Sequence, residues 1–564
     1  MKNSKLDLSS QTRRGFIQTS GIAALAPLIP NIAFAQPSPA LASSSKGMVT
    51  SPHELATQAG LKVLQSGGNA IEAVIAISSC LSVTYPHFSG YGGDAFMIIS
   101  DANGKAQTIS GIGQAPQDIS GYSGSIPFRG PKSMLTSAAY VDTLGKAYEI
   151  SKKDMQGKKS WSSLLTPAIK LAKDGFPVSE SEVFWLNFRL KEMGSLPGVE
   201  SGYLINGKVP TPGEIFKQPK LAKTIEMIAE RGHRDFYEGK LAAILAKGLK
   251  DAGSPLTARD LALTQAQIEP PLSVAYRGGT LLGNQPPTQA ITTLEIMGIL
   301  ERFDLSKIPE GSPDYYHLLV EAVKLAFIDR NKYVADPKFV DVPSQRLLSN
   351  AYLDQQAKKI NMQTAMPWPY VYKQGDTVYL AAVDSKGNCA SMLTTVYYDW
   401  GSGVQVGDTG MLWHNRGASF SLDPKSPNRL ESGKRPFHTL NPGMYIKDGR
   451  PAILYGTQGA DGQPQTLAAV LTRLIDYKMD PLTALAKPRF LLGKTFSDTR
   501  DSLKLEKDAG QEVFVELGKR GHEMSEITAQ SPLAGHPGAI VIDYQAKKIT
   551  GAHDPRSDGR ALGV

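Results

Sequence analysis

Apolar residues fall in two rhythms along this chain. Residues 70–83 are apolar nearly all round, which predicts a helix buried on every side. Across 313–330 the stripe Leu318, Ala322, Leu325 and Ala326 alternates with a polar stripe of Glu321, Lys324 and Arg330, an amphipathic helix whose role reads as packing. Segments 164–174, 221–231, 241–249 and 465–477 carry the same period. Thr257 and Asp260 start a short helix over 261–264. Near the start, Ser51 reads as the cap of a helix over 51–64, with Pro52 at its first position and Glu54 completing a capping box. Gly67-Gly68-Asn69 ends that helix.

The second rhythm is that of strands. Residues 377–383 form an apolar run, Ser385-Lys386-Gly387-Asn388 reads as a turn, and 390–396 return as a second run, so the two predict a hairpin. Further strands are expected over 95–100, 410–413, 443–447, 452–455 and 539–543. Strands flanked by helix-rich stretches on both sides point to stacked helix and sheet layers. The prolines of the irregular run before the hairpin, Pro367 and Pro369, cannot donate to a sheet ladder.

Composition narrows the function. At 564 residues, 41% hydrophobic and 20% charged, the chain is long enough for a large layered domain or several cores. The net charge of +8 is dispersed, with no basic run interleaved with aromatics, so nucleic acid is not an expected partner. The two cysteines, Cys80 and Cys389, sit far apart in apolar stretches and read as buried free thiols. No histidine spacing calls for a metal, and no cofactor is expected. Ser89-Gly90-Tyr91-Gly92-Gly93-Asp94 is glycine-rich, but it follows a helix and precedes a strand, the reverse of a dinucleotide fingerprint.

Residues 1–35 read as an address. Twin arginines, Arg13 and Arg14, precede a short apolar stretch over 21–34, broken by Pro27 and Pro30, and Ala33-Phe34-Ala35 offers a small-x-small cleavage site. The segment resembles a twin-arginine export signal, implying a periplasmic or secreted protein with no membrane anchor once matured.

Thr377, at the exposed start of a core strand, suits one chemistry. If the bond before it is cut, its hydroxyl and a new α-amine share one residue. An amine with an ordinary pKa of about 7.7–8.0 can then act as the base for that hydroxyl.

Separated motifs in order carry a family resemblance. They are Ser51-Pro52-His53, Gly67-Gly68-Asn69-Ala70-Ile71-Glu72-Ala73, Gly92-Gly93-Asp94, the run 321–330 continuing to Asp336-Pro337, and Asp554-Pro555-Arg556-Ser557-Asp558-Gly559. From residue 48 onward the chain resembles the γ-glutamyltransferase family of N-terminal-nucleophile hydrolases. The resemblance implies an α+β fold, a four-layer αββα sandwich, and a precursor that cuts itself into two associated subunits, 36–376 and 377–564. The implied activity is cleavage of γ-glutamyl or related amides through an acyl-enzyme ester, on a small-molecule amide substrate. By motif matching Thr377 is the nucleophile, Thr395 supports it, and the backbone of Gly459 and Ala460 faces the oxyanion.

The family's glutamate-reading positions have changed. Gln114 lies in Gly113-Gln114-Ala115-Pro116, where an arginine usually precedes the Ala-Pro pair. Tyr397 stands for an asparagine, Ser419 for an aspartate, and His438 and Thr439 for paired serines. Losing both signs of charge implies a changed acyl group, since a buried charge without its partner is costly. Arg416 and Arg435 offer replacement cations for a carboxylate placed differently, as in oxamate- or glutaryl-type amidohydrolases. An exported redox protein and a catalytically silent binding protein are the alternatives. The lack of cysteine clusters counts against the first, and the presence of Thr377 and Thr395 against the second.

Overall fold

The computed structural model describes residues 40–368, 376–494 and 500–564. The export-like segment, residues 1–35, and part of the irregular run, 369–375, lie outside the described residues.

Two seven-stranded antiparallel sheets form the centre. The first runs Arg560–Gly563, Met48–Ser51, Asp376–Val383, Cys389–Tyr397, Asp94–Ser100, Ala106–Gly111, Gln267–Glu269. The second runs Ala42–Ser44, Lys548–His553, His536–Asp543, Arg450–Gln458, Gly443–Lys447, Gly279–Gly283, Leu272–Tyr276.

Strand alternation sorts the side chains into layers. Along Asp376–Val383, the even positions Val378, Leu380 and Ala382 join a core with helices Glu54–Gln65, Ala70–Thr84 and Trp161–Asp174. The odd positions Tyr379, Ala381 and Val383 face Leu440, Met444, Leu454 and Ile540 in the core between the sheets. On the far side of the second sheet, Tyr445, Ile453 and Tyr455 pack on helices Ala290–Leu300, Pro313–Tyr333 and Gln463–Ile475. The order is therefore helix, sheet, sheet, helix: an α+β, four-layer αββα sandwich.

The hairpin over 376–397 forms with its turn where the pattern places it, and Asp384 secures that turn by accepting from the N–H groups of Lys386 and Asn388. Two expectations are corrected. Ser51 does not cap a helix, because Met48–Ser51 is drawn into the first sheet between Asp376–Val383 and Arg560–Gly563; the helix starts at Glu54 and Ser51 Oγ turns to Thr57 Oγ1, 2.6 Å away. Residues 410–413 form no strand: Gly410 is left-handed, at φ +68°, and the segment makes only single bridges to Gly92 and Gln405. Both cysteines are buried and free. Among the described residues no helix is long and apolar enough to cross a membrane.

Candidate active site

Thr377 is fully buried on the inter-sheet side of its strand. A bulge in the return strand creates the local arrangement. Asp376 pairs with Tyr397 and Val378 with Thr394, so Thr395 and Val396 together stand opposite Thr377. Thr395 then faces the same inter-sheet side, and its Oγ accepts from the N–H of Tyr397 at 2.7 Å. Gly93 permits this approach, since a Cβ there would lie 2.2 Å from the Thr395 carbonyl oxygen. Tyr397 leaves the strand in the left-handed region, φ +80°, a strained conformation for a bulky side chain.

The second sheet brings up the Gly459 turn. Gly459 has φ +134° and Ala460 φ +47°, and the turn runs into the helix Gln463–Ile475. Among the described residues, no carbonyl accepts from the N–H of Gly459 or Ala460. Gln289 holds the turn from behind: its Nε2 donates to the carbonyls of Ala460 at 2.6 Å and Thr439 at 2.8 Å, and its Oε1 accepts from Arg330 at 3.0 Å. From the first turn of the adjoining helix, Gln463 Nε2 donates to Thr377 Oγ at 3.2 Å. Neither glutamine is singled out by the sequence pattern. For Gln463 the available signal was its place three residues after Ala460.

Beside these groups lies a cavity of about 170 Å³, with Tyr397, Ser419, Thr439, Asp461 and Arg330 in its wall. Arg416 sits behind that wall, its guanidinium 3.7 Å from the centre of the Tyr397 ring and Nη2 donating to Thr439 Oγ1 at 3.2 Å. It is fully buried, and among the described residues its Nε and Nη1 have no hydrogen-bond partner. Burial pushes its pKa down to about 10, against the pull of Tyr397, Asp94 and Asp461, so it stays cationic at neutral pH.

The other expected substrate residues go elsewhere. Arg435 is engaged on all sides: Nη2 and Nε meet Asp336 at 2.9 and 3.3 Å, and Nη1 meets Gln267 at 3.0 Å. Gln114 Nε2 donates to Asp260 and Thr264, away from the cavity. His438 accepts from the Leu440 N–H at Nδ1, which leaves Nε2 to donate to Asp94 at 3.3 Å. Burial, then the charge of Arg416, pushes the His438 pKa down to about 3, so the ring is neutral. Burial would raise the Asp94 carboxyl, but His414, His438 and the Ala139 N–H hold it below the usual range. Of the expected set, Thr377, Thr395, Gly459, Ala460, Tyr397, Ser419, Thr439 and Arg416 gather in one region.

A separate buried group, His317, Glu321 and His522, brings its ligand atoms within 4.8 Å of one another. His317 Nδ1 already bonds His522 Nε2 at 2.8 Å and Lys324 bonds Glu321 at 2.8 Å, so the cluster is satisfied without an ion.

A threonine at the start of an inner strand, two sheets between helix layers and an open pair of backbone N–H groups define the N-terminal-nucleophile class of hydrolase. The sequence profile described as Gamma-glutamyltranspeptidase matches residues 56–564, and the chain belongs to that family. It is 39% identical to the glutathione hydrolase-like YwrD proenzyme of Bacillus subtilis (strain 168), over 92% of this chain and 99% of the relative. It is 40% identical, with the same shares covered, to the oxamate amidohydrolase proenzyme of Klebsiella pneumoniae subsp. pneumoniae. Among solved structures it resembles a cephalosporin acylase from Bacillus halodurans at a TM-score of 0.85 and 30% identity, covering 97% of this chain and 99% of that one. The protein is thus a self-processing, amide-cleaving enzyme of this family.

Proposed function

We propose that Thr377 is the nucleophile and that the mature enzyme hydrolyses the amide of a small acid bearing a second carboxylate, of the oxamate or glutaryl type. The observation that carries the acyl preference is Arg416: a buried cation with two unpaired nitrogens needs an anion. The oxamate amidohydrolase relative supports the same reading. A glutamyl group would also bring an ammonium, and the one carboxylate in the cavity wall among the described residues, Asp461, already meets Arg330 at 3.3 Å.

Maturation begins with attack of Thr377 Oγ on the Asp376 carbonyl carbon. The C–N bond breaks, the hydroxyl proton passes to the Thr377 nitrogen, and an ester forms. Water hydrolyses that ester, leaving the Asp376 carboxyl group and a free Thr377 α-amine. In turnover the amine takes the Oγ proton, Oγ attacks the substrate carbonyl, and the N–H groups of Gly459 and Ala460 receive the oxyanion, at about 2.7–4 kcal/mol each. The leaving amine departs with the proton, and water activated by the α-amine frees the acid.

The pieces 36–376 and 377–564 stay together because each contributes strands to both sheets. The twin-arginine segment supports export to the periplasm or beyond, tested by fusing residues 1–35 to a reporter that is active only outside the cytoplasm. Thr377→Ala should remain one uncut, inactive chain; a cut at the same bond in that variant refutes the assignment. For the acyl group, Arg416→Ala should raise KM for an anionic amide far more than for a neutral one, and equal effects refute it.

A further inference from the structure

Gln463 is fully buried at the head of the helix Gln463–Ile475. Its two ends differ: Nε2 donates to Thr377 Oγ at 3.2 Å, while Oε1 is buried without a hydrogen-bond partner among the described residues. Packing does not force this. Gln465 on the same helix, equally buried, uses both ends on Leu492, donating to its carbonyl at 3.1 Å and accepting from its N–H at 2.7 Å. Buried amide oxygens are nearly always paired, so an open one beside the reacting hydroxyl needs a reason.

We infer that Gln463 is a catalytic residue that seats both groups of the mature nucleophile: Nε2 holds Oγ, and Oε1 receives the α-amine that the cut creates. The inference rests on the reading of Thr377 as nucleophile and is independent of the acyl group. Before the cut, the Thr377 nitrogen carries one hydrogen and its lone pair is delocalised into the Asp376 carbonyl. Hydrolysis adds the elements of water across that bond, giving the nitrogen a second hydrogen and a localised lone pair. The new N–H requires an acceptor, and Oε1 is open, one amide's width from the atom that grips Oγ. With one amine hydrogen on Oε1, the lone pair can turn to the Oγ proton, as general-base catalysis demands. The Nε2 donor occupies an oxygen lone pair and does not compete for that proton. Once it has moved, the same donor stabilises the alkoxide.

The test uses the full-length chain with Gln463→Met, Gln463→Glu and Thr377→Ala. It reads the rate of conversion to two fragments, kcat, KM, the pH profile of kcat/KM and the thermal midpoint. Asp461 and Arg330 beside the turn, Tyr397 and Arg416 on the return-strand side, and Asp94 and His438 behind them are unaltered, so a moved limb reports the replaced side chain. Gln463→Met should slow self-cutting and lower kcat about tenfold at unchanged KM, the size of one lost hydrogen bond. Its acid limb should move to lower pH, because the amine loses an acceptor that favours its protonated form. Gln463→Glu should move that limb up by about one unit, since a neighbouring anion favours the ammonium; being nearly isosteric, it carries the test if the Met variant proves unstable. An unmoved limb and unchanged kcat in stable variants overturn the inference, as does a loss confined to KM. Thr377→Ala that still cuts and turns over would instead overturn the reading of Thr377.

Discussion

Arg416 and Arg435 look alike in the sequence: basic residues on either side of one polar loop, each a candidate for gripping a carboxylate. Both are buried. Arg435 is neutralised by Asp336 and capped by Gln267, so its charge belongs to the fold. Arg416 has Thr439 at one nitrogen, an aromatic face against its plane, and two nitrogens open. A buried cation informs on ligands only after its internal partners are counted.

Substitutions can break this contrast. Arg435→Met should cost the most stability, about 3–5 kcal/mol in a denaturant titration, because Asp336 is left buried and unpaired. Combining it with Asp336→Leu should recover much of that loss. Arg416→Met should do the opposite, leaving stability unchanged or raised while KM for an anionic amide rises about 10- to 100-fold, the worth of a hydrogen bond to a charged group. Loss of stability at Arg416 with unchanged KM would reverse the two assignments.

A smaller effect comes from His438, which faces Arg416 from the Asp94 side. Its pKa is pushed down to about 3 by burial and by Arg416, whereas an unfolded histidine takes a proton near pH 6.5. The neutral ring's contribution is therefore complete above pH 6.5 and is lost as pH falls from 6.5 toward 3. His438→Gln should flatten the stability–pH curve in that window. The smallest effect belongs to Gln114→Ala, expected to change KM less than about twofold, since its amide serves Asp260 and Thr264.

Much of the fold was legible because its inner strands repeat strictly, as in Val378, Leu380 and Ala382 on one face and Tyr379, Ala381 and Val383 on the other. Boundaries failed where tertiary pairing overrode local signals, as at Ser51, and where an apolar run was buried without a ladder, as at 410–413. The polar stripe of the helix Pro313–Tyr333 adds a second lesson. Glu321 and Lys324 are buried, gripping the backbone of Met366, and Arg330 reaches Asp461. Periodicity separates polar from apolar faces but not a solvated face from an internally paired one. Gln289 and Gln463 escaped notice because uncharged amides are common and their roles exist only once two sheets are stacked.

The strand Met48–Ser51 lies between Asp376–Val383 and Arg560–Gly563, an upstream segment gripped on both edges by downstream ones. In one continuous chain the connecting loops limit how far these strands must search for their partners. The proposed cut before Thr377 would leave these pairings in place but remove that tether. The uncut Thr377→Ala chain should therefore recover its fold after denaturation more fully than the cut enzyme, as read by refolding yield.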